Sequence, residues 1–224
     1  MENAHQTNPP PHCDSLARLL ELRAEDRASA AAIAGATGKP LSYRRLFVQA
    51  QEVAGALNTL GVGQGDRVAA VLPNGPELAA AFVTISAAAA FAPLNPEYRG
   101  AEFEFFLSDL QPRALVVQAG TASAALAVAR SRSIPVIELV PDAEAGAGCF
   151  ALEGQARSRP LRTGFAGADE TALILHTSGT TSRPKMVPLT HANLLASAAS
   201  IAATLQLTER DRCLNVMPLF HIHG

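Results

Sequence analysis

The sequence predicts an α/β fold in which a parallel or mixed sheet is flanked by helices. Strand-like and helix-like segments alternate along most of the chain, and such strand–helix–strand units favour parallel strands with helices packed on the sheet faces. A short apolar run at 173–175 is typical of a strand buried on both faces. The 224 residues suffice for one domain with its own core, or for a large part of a bigger domain.

Caps, turns and apolar spacing place the individual elements. Ser42 can cap a helix whose apolar positions keep helical spacing as far as Gly61, where a helix-ending glycine is typical. The other expected helices run from Asp14 or Ser15 to about Arg23, from Pro76 onward, and over 101–107, 121–130 and 191–205. The expected strands are a hairpin of 30–34 and 40–43, then 67–72, 91–94, 114–118, 135–140, 173–175, 186–189 and 215–219.

Two segments need separate interpretation. Residues 78–94 carry no charge and could be mistaken for a membrane span, but they are mostly alanine and include Pro93, which favours a buried helix running into a buried strand. Residues 141–168 are rich in Gly, Ala, Arg and Pro without a clear period. They predict a long surface connection.

Composition and charge exclude several classes of function. The formal net charge is −2, from 18 basic and 20 acidic side chains, and no basic run predicts nucleic-acid binding. The three cysteines lie far apart and form no C-x-x-C pair, as expected of reduced thiols in a cytoplasmic protein. Residues 1–13 are polar and proline-rich, which predicts a disordered lead-in and not a signal peptide.

The most informative stretch runs from Thr177 to Lys185. Hydroxyls at 178, 180 and 181 surround Gly179, and two cationic side chains follow at once. Hydroxyls, backbone N–H groups and a lysine are what a loop needs to hold a polyphosphate. The apolar run just before it predicts a buried strand that delivers this loop to one edge of the sheet.

This stretch resembles the AMP-binding motif of the adenylate-forming enzymes, which include the acyl-CoA synthetases. Further similar stretches follow the order expected of that superfamily: 67–75, 92–96, 189–191 and 217–221. Within it, 102–109 (Glu-Phe-Glu-Phe-Phe-Leu-Ser-Asp) and 218–224 (Pro-Leu-Phe-His-Ile-His-Gly) are similar to the oxalate–CoA ligase subgroup. The resemblance covers nearly the whole chain after about residue 14.

The resemblance implies a two-step ligase reaction. A carboxylate attacks the α-phosphate of ATP, and the thiol of coenzyme A then displaces AMP from the acyl-adenylate, with Mg²⁺ sharing the phosphate charge. His221 and His223 would line the acyl-substrate pocket. The residues expected to hold the ATP phosphates are Thr177, Ser178, Gly179, Thr180, Thr181, Ser182, Arg183 and Lys185. No residue of the chain is assigned as certainly catalytic or as a metal ligand.

The family's later motifs are absent from the chain, so residues 14–224 are interpreted as the first part of the large N-terminal domain of an acyl-CoA synthetase. The partners expected are a carboxylic acid, ATP, coenzyme A and the missing C-terminal part of the same protein. We expect little or no ligase activity from the chain alone. The alternative is a truncated, non-catalytic nucleotide-binding or interaction module.

Two departures from the family pattern bear on the loop. Ser182 stands where most of the superfamily has glycine, and Met186 stands where glycine usually follows the lysine. Glycine permits backbone angles and close approach that methionine resists, so Met186 puts nucleotide affinity or loop movement in doubt.

Two other kinds of site fit these residues less well. A Walker-type loop needs glycine before its lysine and a helix after it, whereas here Pro184 precedes Lys185 and Pro188 disfavours an immediate helix. A metal site at residues 221 and 223 lacks nearby Asp, Glu or Cys. His176 and His191 are more often structural. Asn74 and Asn95 are expected to serve turns.

Overall fold

The computed structural model describes residues 13–177, 184–222 and 224, which build two sheets and six helices. The helices are α1 (Leu16–Asp26), α2 (Tyr43–Thr59), α3 (Pro76–Ser86), α4 (Gly100–Leu110), α5 (Ala124–Ser131) and α6 (His191–Thr204). The strands are β1 (Ala31–Ile33), β2 (Leu41–Ser42), β3 (Arg67–Val71), β4 (Ala90–Pro93), β5 (Ala114–Gln118), β6 (Val136–Pro141), β7 (Phe150–Glu153), β8 (Thr171–Thr177) and β9 (Lys185–Thr190).

The main sheet has seven strands in the order β7-β6-β5-β3-β4-β8-β9. Strands β6, β5, β3, β4 and β8 run parallel, and β7 and β9 close the two edges as antiparallel strands. This confirms the expected α/β class and decides for a mixed sheet. It also places the carboxyl ends of the five parallel strands at one edge, because parallel strands share a direction.

Helices cover both faces of this sheet. Along β3, Val68 and Ala70 pack with α2 and α3, whereas Ala69 and Val71 pack with α4 and α5. Successive strand side chains point to opposite faces, so an uninterrupted apolar run can fill both layers.

The uncharged segment 78–94 is buried as expected. It forms most of α3 and then β4, and its alanines at 80, 81, 87 and 92 have no exposed surface. In the part of the chain that the structure describes, no helix combines the length and apolarity that a membrane crossing needs.

The predicted helix caps are confirmed. The side-chain oxygens of Ser15, Ser42 and Thr190 accept hydrogen bonds from the third backbone N–H that follows them, at 3.2 to 3.3 Å. Gly61 lies just beyond α2 with φ +85°, a left-handed conformation that glycine adopts at little cost. The short hairpin formed by β1 and β2 also appears where the sequence predicts it.

The prediction for 141–168 is wrong in part. This stretch contains β7, which pairs with β6 at the edge of the sheet. Cys149 and Phe150 are buried there. An edge strand of four residues has too little alternation to stand out among the surrounding glycines and arginines.

The prediction of a strand at 215–219 is wrong. Leu214 and Val216 are 85% and 77% exposed, and side chains take the backbone N–H groups: Asn215 Oδ1 accepts from Met217 N, and Asn74 Oδ1 accepts from Leu219 N. Apolar composition favoured a strand, but a strand also needs a neighbouring edge with free hydrogen-bonding groups.

Buried His191 connects the start of α6 with the start of α1. Its Nδ1 accepts a hydrogen bond from the backbone N–H of Leu16 at 3.2 Å, and the whole residue has no exposed surface. Burial lowers the pKa of His191 below its ordinary value of 6.5, although the carboxylates of Glu170 and Asp14 oppose the shift. A neutral ring is required, because only an unprotonated Nδ1 can accept this bond. The expected structural role of His191 is therefore confirmed.

The first prediction concerns the pH dependence of stability. A histidine whose pKa is lower in the folded state contributes stability that is complete above its unfolded pKa and is lost as the pH falls below it. We expect the free energy of unfolding in urea to drop by about 1 kcal/mol between pH 7.5 and 5.5. The control is His191→Asn, whose side-chain oxygen can still accept from Leu16 but does not titrate. An equally steep loss of stability in this variant would contradict the assignment to His191.

Candidate functional site

Four strands supply polar residues to the carboxyl edge of the parallel sheet. Strands β3, β4 and β8 are neighbours that end at this edge, and antiparallel β9 begins there. Asn74 follows β3, Asn95 follows β4, Thr177 ends β8 and Lys185 begins β9. Crevices at the carboxyl ends of parallel strands are the usual ligand sites of such sheets.

Thr177 and Lys185 form the mouth of the β8–β9 hairpin. They are paired across the two strands, and the Thr177 hydroxyl donates to the Lys185 carbonyl at a long 3.5 Å. The Lys185 side chain is exposed, and Thr177 is partly so. A hydroxyl and an ammonium group therefore stand together at an accessible edge, a donor set that suits phosphate oxygens.

The other predicted phosphate-binding residues connect these two strands but lie outside the described residues. They are Ser178, Gly179, Thr180, Thr181, Ser182 and Arg183. Their assignment stays a prediction from the sequence, as does that of His223.

The residue after the lysine has an extended conformation. Met186 belongs to β9, pairs with His176 and packs against the layer of α4 and α5. Among the described residues other than glycine, positive φ angles occur at 111, 133 and 206, and not at Met186. The backbone at 186 therefore does not need glycine. A strand after Lys185 also agrees with the rejection of a Walker-type loop.

A hydrogen bond brings the 217–222 segment to the same edge. Asn74 Oδ1 accepts from Leu219 N at 2.9 Å, and Leu219 packs against the α2–α3 layer. His221 follows in a turn closed by its N–H and the Pro218 carbonyl. Because only β4 lies between β3 and β8 in the sheet, Asn74 anchors this segment at the same edge as the hairpin mouth.

The sequence suggested only a turn role for Asn74. In the structure, Asn74 also holds the backbone of Leu219. Asn95 has the simpler role, accepting from Glu97 N inside its own loop.

A side-chain cluster supports the end of β8. His176 Nε2 lies 3.0 Å from Asp109 Oδ2, and its ring meets the Phe106 ring edge-to-face at 4.8 Å. Tyr98 stacks on the other side of this cluster, with its ring centroid 4.8 Å from that of Phe106. Burial raises the pKa of Tyr98, with a smaller contribution from Glu102. Sequence reasoning missed Asp109 as a partner, since 67 residues separate it from His176.

The described residues contain no group of three or more His, Cys, Asp or Glu side chains that could hold a metal ion. Within this part of the chain, the donors at the edge are hydroxyl, ammonium, amide and imidazole groups. Such groups suit phosphate and carboxylate oxygens.

The sequence pattern of a protein family described as AMP-binding enzyme matches residues 20–224. The chain belongs to this AMP-binding enzyme family. Its relatives include an oxalate–CoA ligase of Arabidopsis thaliana, 36% identical over 94% of the chain, and a probable CoA ligase of Humulus lupulus, 37% identical over 94%. An oxalate–CoA ligase of Saccharomyces cerevisiae is 39% identical over 71% of the chain.

Solved structures show the same fold. ATP-bound MatB from Rhodopseudomonas palustris is 30% identical and superposes with a TM-score of 0.75 over 94% of this chain. The chain spans 41% of that protein, and 41% and 42% of the Humulus and Arabidopsis relatives. The expected superfamily and its acyl-CoA synthetase branch are thereby confirmed.

The second prediction tests how the 217–222 segment is held. Replacing Asn74 by Ala removes the acceptor for Leu219 N, so deuterium uptake at 217–222 should rise by about fivefold. Asn95→Ala removes an asparagine from the same edge but touches only its own loop, and it should leave this segment unchanged. Equal uptake in both variants would show that Asn74 does not hold it.

Proposed function

We propose that this chain supplies the pyrophosphate-binding part of an ATP-dependent carboxylic acid–CoA ligase that acts through an acyl-adenylate. The observation that carries the proposal is the pairing of Thr177 and Lys185 at an exposed hairpin mouth on the carboxyl edge of the sheet. Membership of the AMP-binding enzyme family and relatives named CoA ligases support it. ATP and coenzyme A would be co-substrates.

Formation of an acyl-adenylate requires hydrogen-bond donors and positive charge where the pyrophosphate departs, which is the role proposed for the carboxyl edge of the sheet. A carboxylate is a poor acyl donor until one of its oxygens becomes part of a good leaving group. As the carboxylate oxygen bonds to the α-phosphorus, the bond to the bridging oxygen breaks and pyrophosphate departs with the negative charge. Fixed donors and cations at the departing phosphates lower this barrier. Lys185 and the hydroxyls of Thr177, Ser178, Thr180 and Thr181 would do so.

Magnesium fits this role when it is bound with the nucleotide, because it neutralises charge on phosphate oxygens. The residues of this chain would hold the phosphate oxygens directly. Lys185 contributes a compact positive charge, and the hydroxyls contribute directional hydrogen bonds. The thiol of coenzyme A would then attack the acyl carbon and release AMP.

We further propose that the acid is oxalate or another short carboxylic acid. His221 would line the acid pocket, where an imidazole N–H could donate to the distal carboxylate of a dicarboxylic acid. The position of its segment at the same edge as the hairpin mouth supports this assignment. Two relatives named oxalate–CoA ligase support the substrate class. His223 would join the same pocket.

A second candidate is a non-catalytic nucleotide-binding or interaction module. The chain spans about two-fifths of the length of the Humulus and Arabidopsis relatives. We propose accordingly that the 224-residue chain alone makes little or no acyl-CoA. Robust acyl-CoA formation by the purified chain with ATP, oxalate and coenzyme A would contradict this part of the proposal.

The third prediction tests the phosphate role. Lys185→Ala should weaken the binding of MgATP about tenfold in calorimetry, because it removes a charge-assisted contact to the phosphates. Lys39, the other lysine of the chain, is exposed, and its carbonyl accepts from Ala147 N in the turn between β6 and β7. Three strands separate β6 from β8 in the sheet, so Lys39→Ala is a control matched in charge. Equal affinities for the two variants would remove Lys185 from the site.

The fourth prediction tests the acid. In a protein that contains this chain and forms acyl-CoA, oxalate and similar short dicarboxylates should give higher kcat/KM than monocarboxylates of equal length. His221→Ala should reduce this preference by about tenfold, since a charge-assisted hydrogen bond to a carboxylate is lost. Unchanged selectivity in the variant would exclude His221 from acid recognition.

A further inference from the structure

The last residues of β8 pair with β9, its neighbour at the edge of the sheet. Strand β8 pairs with β4 at Leu173, four residues before its end, and its last residues pair with β9 as His176–Met186 and Thr177–Lys185. These two pairs are the last ones before residues 178–184, which connect the two strands. Hydrogen-bonded pairs at the end of a strand ladder open more readily than pairs inside it, and side-chain contacts can oppose this opening.

His176 supplies such an attachment. Its side chain is only 6% exposed, although it lies one residue from the accessible Thr177. Asp109 stands in the last turn of α4 and faces it at 3.0 Å. Because an ionised carboxylate only accepts hydrogen bonds, His176 Nε2 carries the hydrogen and donates to Asp109 Oδ2. This contact ties the end of β8 to α4.

The aromatic rings keep the histidine in one orientation. Phe106 meets it edge-to-face with an interplanar angle of 70°, and Tyr98 lies stacked on Phe106 with an angle of 11°. Tyr98 belongs to the loop after β4, where its N–H donates to the Asn95 carbonyl. One cluster on α4 therefore holds the chain after β4 and the end of β8 together.

We propose that Asp109 and His176 are a positioning pair that fixes the mouth of the β8–β9 hairpin for nucleotide phosphates. Neither residue is assigned to contact the nucleotide. The pair acts on Thr177 and Lys185 through the last register pairs of the hairpin. The consequence for ATP rests on the proposed function, whereas the mechanical claim does not.

Hydrogen exchange tests the mechanical claim in the 224-residue chain. Asp109→Ala should speed deuterium uptake in the peptide 170–177 by about fivefold, a modest effect because Asp109 is 41% exposed. Asp109→Asn keeps an oxygen acceptor for His176 and should restore slow exchange. His176→Phe keeps a ring against Phe106 but loses the donor, and it should resemble Asp109→Ala.

The matched control is Glu104→Ala. Glu104 also lies on α4 and also forms a carboxylate–cation pair, with Arg132 at 2.6 Å, but that pair joins α4 to the end of α5. Its removal should leave exchange at 170–177 unchanged. Equal exchange in Asp109→Ala and Glu104→Ala would overturn the positioning role, and so would a failure of Asp109→Asn to restore slow exchange.

Calorimetry with MgATP then connects the pair to the site. Asp109→Ala and His176→Phe should weaken binding about threefold to fivefold, and Asp109→Asn and Glu104→Ala should not. Unchanged affinity in a variant with faster local exchange would overturn the link to phosphate binding. No MgATP binding by the unaltered chain would instead contradict the proposed function, and the exchange experiment would still decide the mechanical claim.

Discussion

The fold depends on a ladder of five parallel strands buried on both faces. Parallel strands must be joined by crossovers, and here α3, α4 and α5 supply them between β3, β4, β5 and β6. The chain crosses from β3 to β4 through α3 on one face and from β4 to β5 through α4 on the other, so β4 and β5 lie on opposite sides of β3. All parallel strands then end at one edge, so polar residues that follow distant strands become neighbours.

Local sequence patterns predict most of the helices and strands of this fold. Caps at Ser15, Ser42 and Thr190 and the period of apolar residues each depend on a few consecutive residues, and they placed six helices and most strands. The errors occurred where the outcome depends on a distant partner. Strand β7 exists because the edge of β6 is available to it, whereas 215–219 has its N–H groups taken by asparagine side chains.

The candidate site divides in the same way. Residue types and spacing predicted a phosphate loop, and the structure places its described ends, Thr177 and Lys185, together at the carboxyl edge. The contact of Asn74 with Leu219 spans 145 residues, and that of Asp109 with His176 spans 67. A single sequence carries no signal for such pairs, because either partner alone fits an ordinary turn or helix surface.

Met186 shows how one departure from the family pattern fits this arrangement. Directly opposite residues of an antiparallel pair lie on the same face, so Met186 and its partner His176 both face the α4 layer. Met186 packs against that layer, and His176 is bonded to Asp109 within it. The hairpin is therefore attached to α4 from both of its strands. A glycine at 186 would remove the attachment on β9 and leave the β8 contact to hold the mouth alone. In this chain, methionine therefore adds an apolar contact with the α4 layer that glycine would lack.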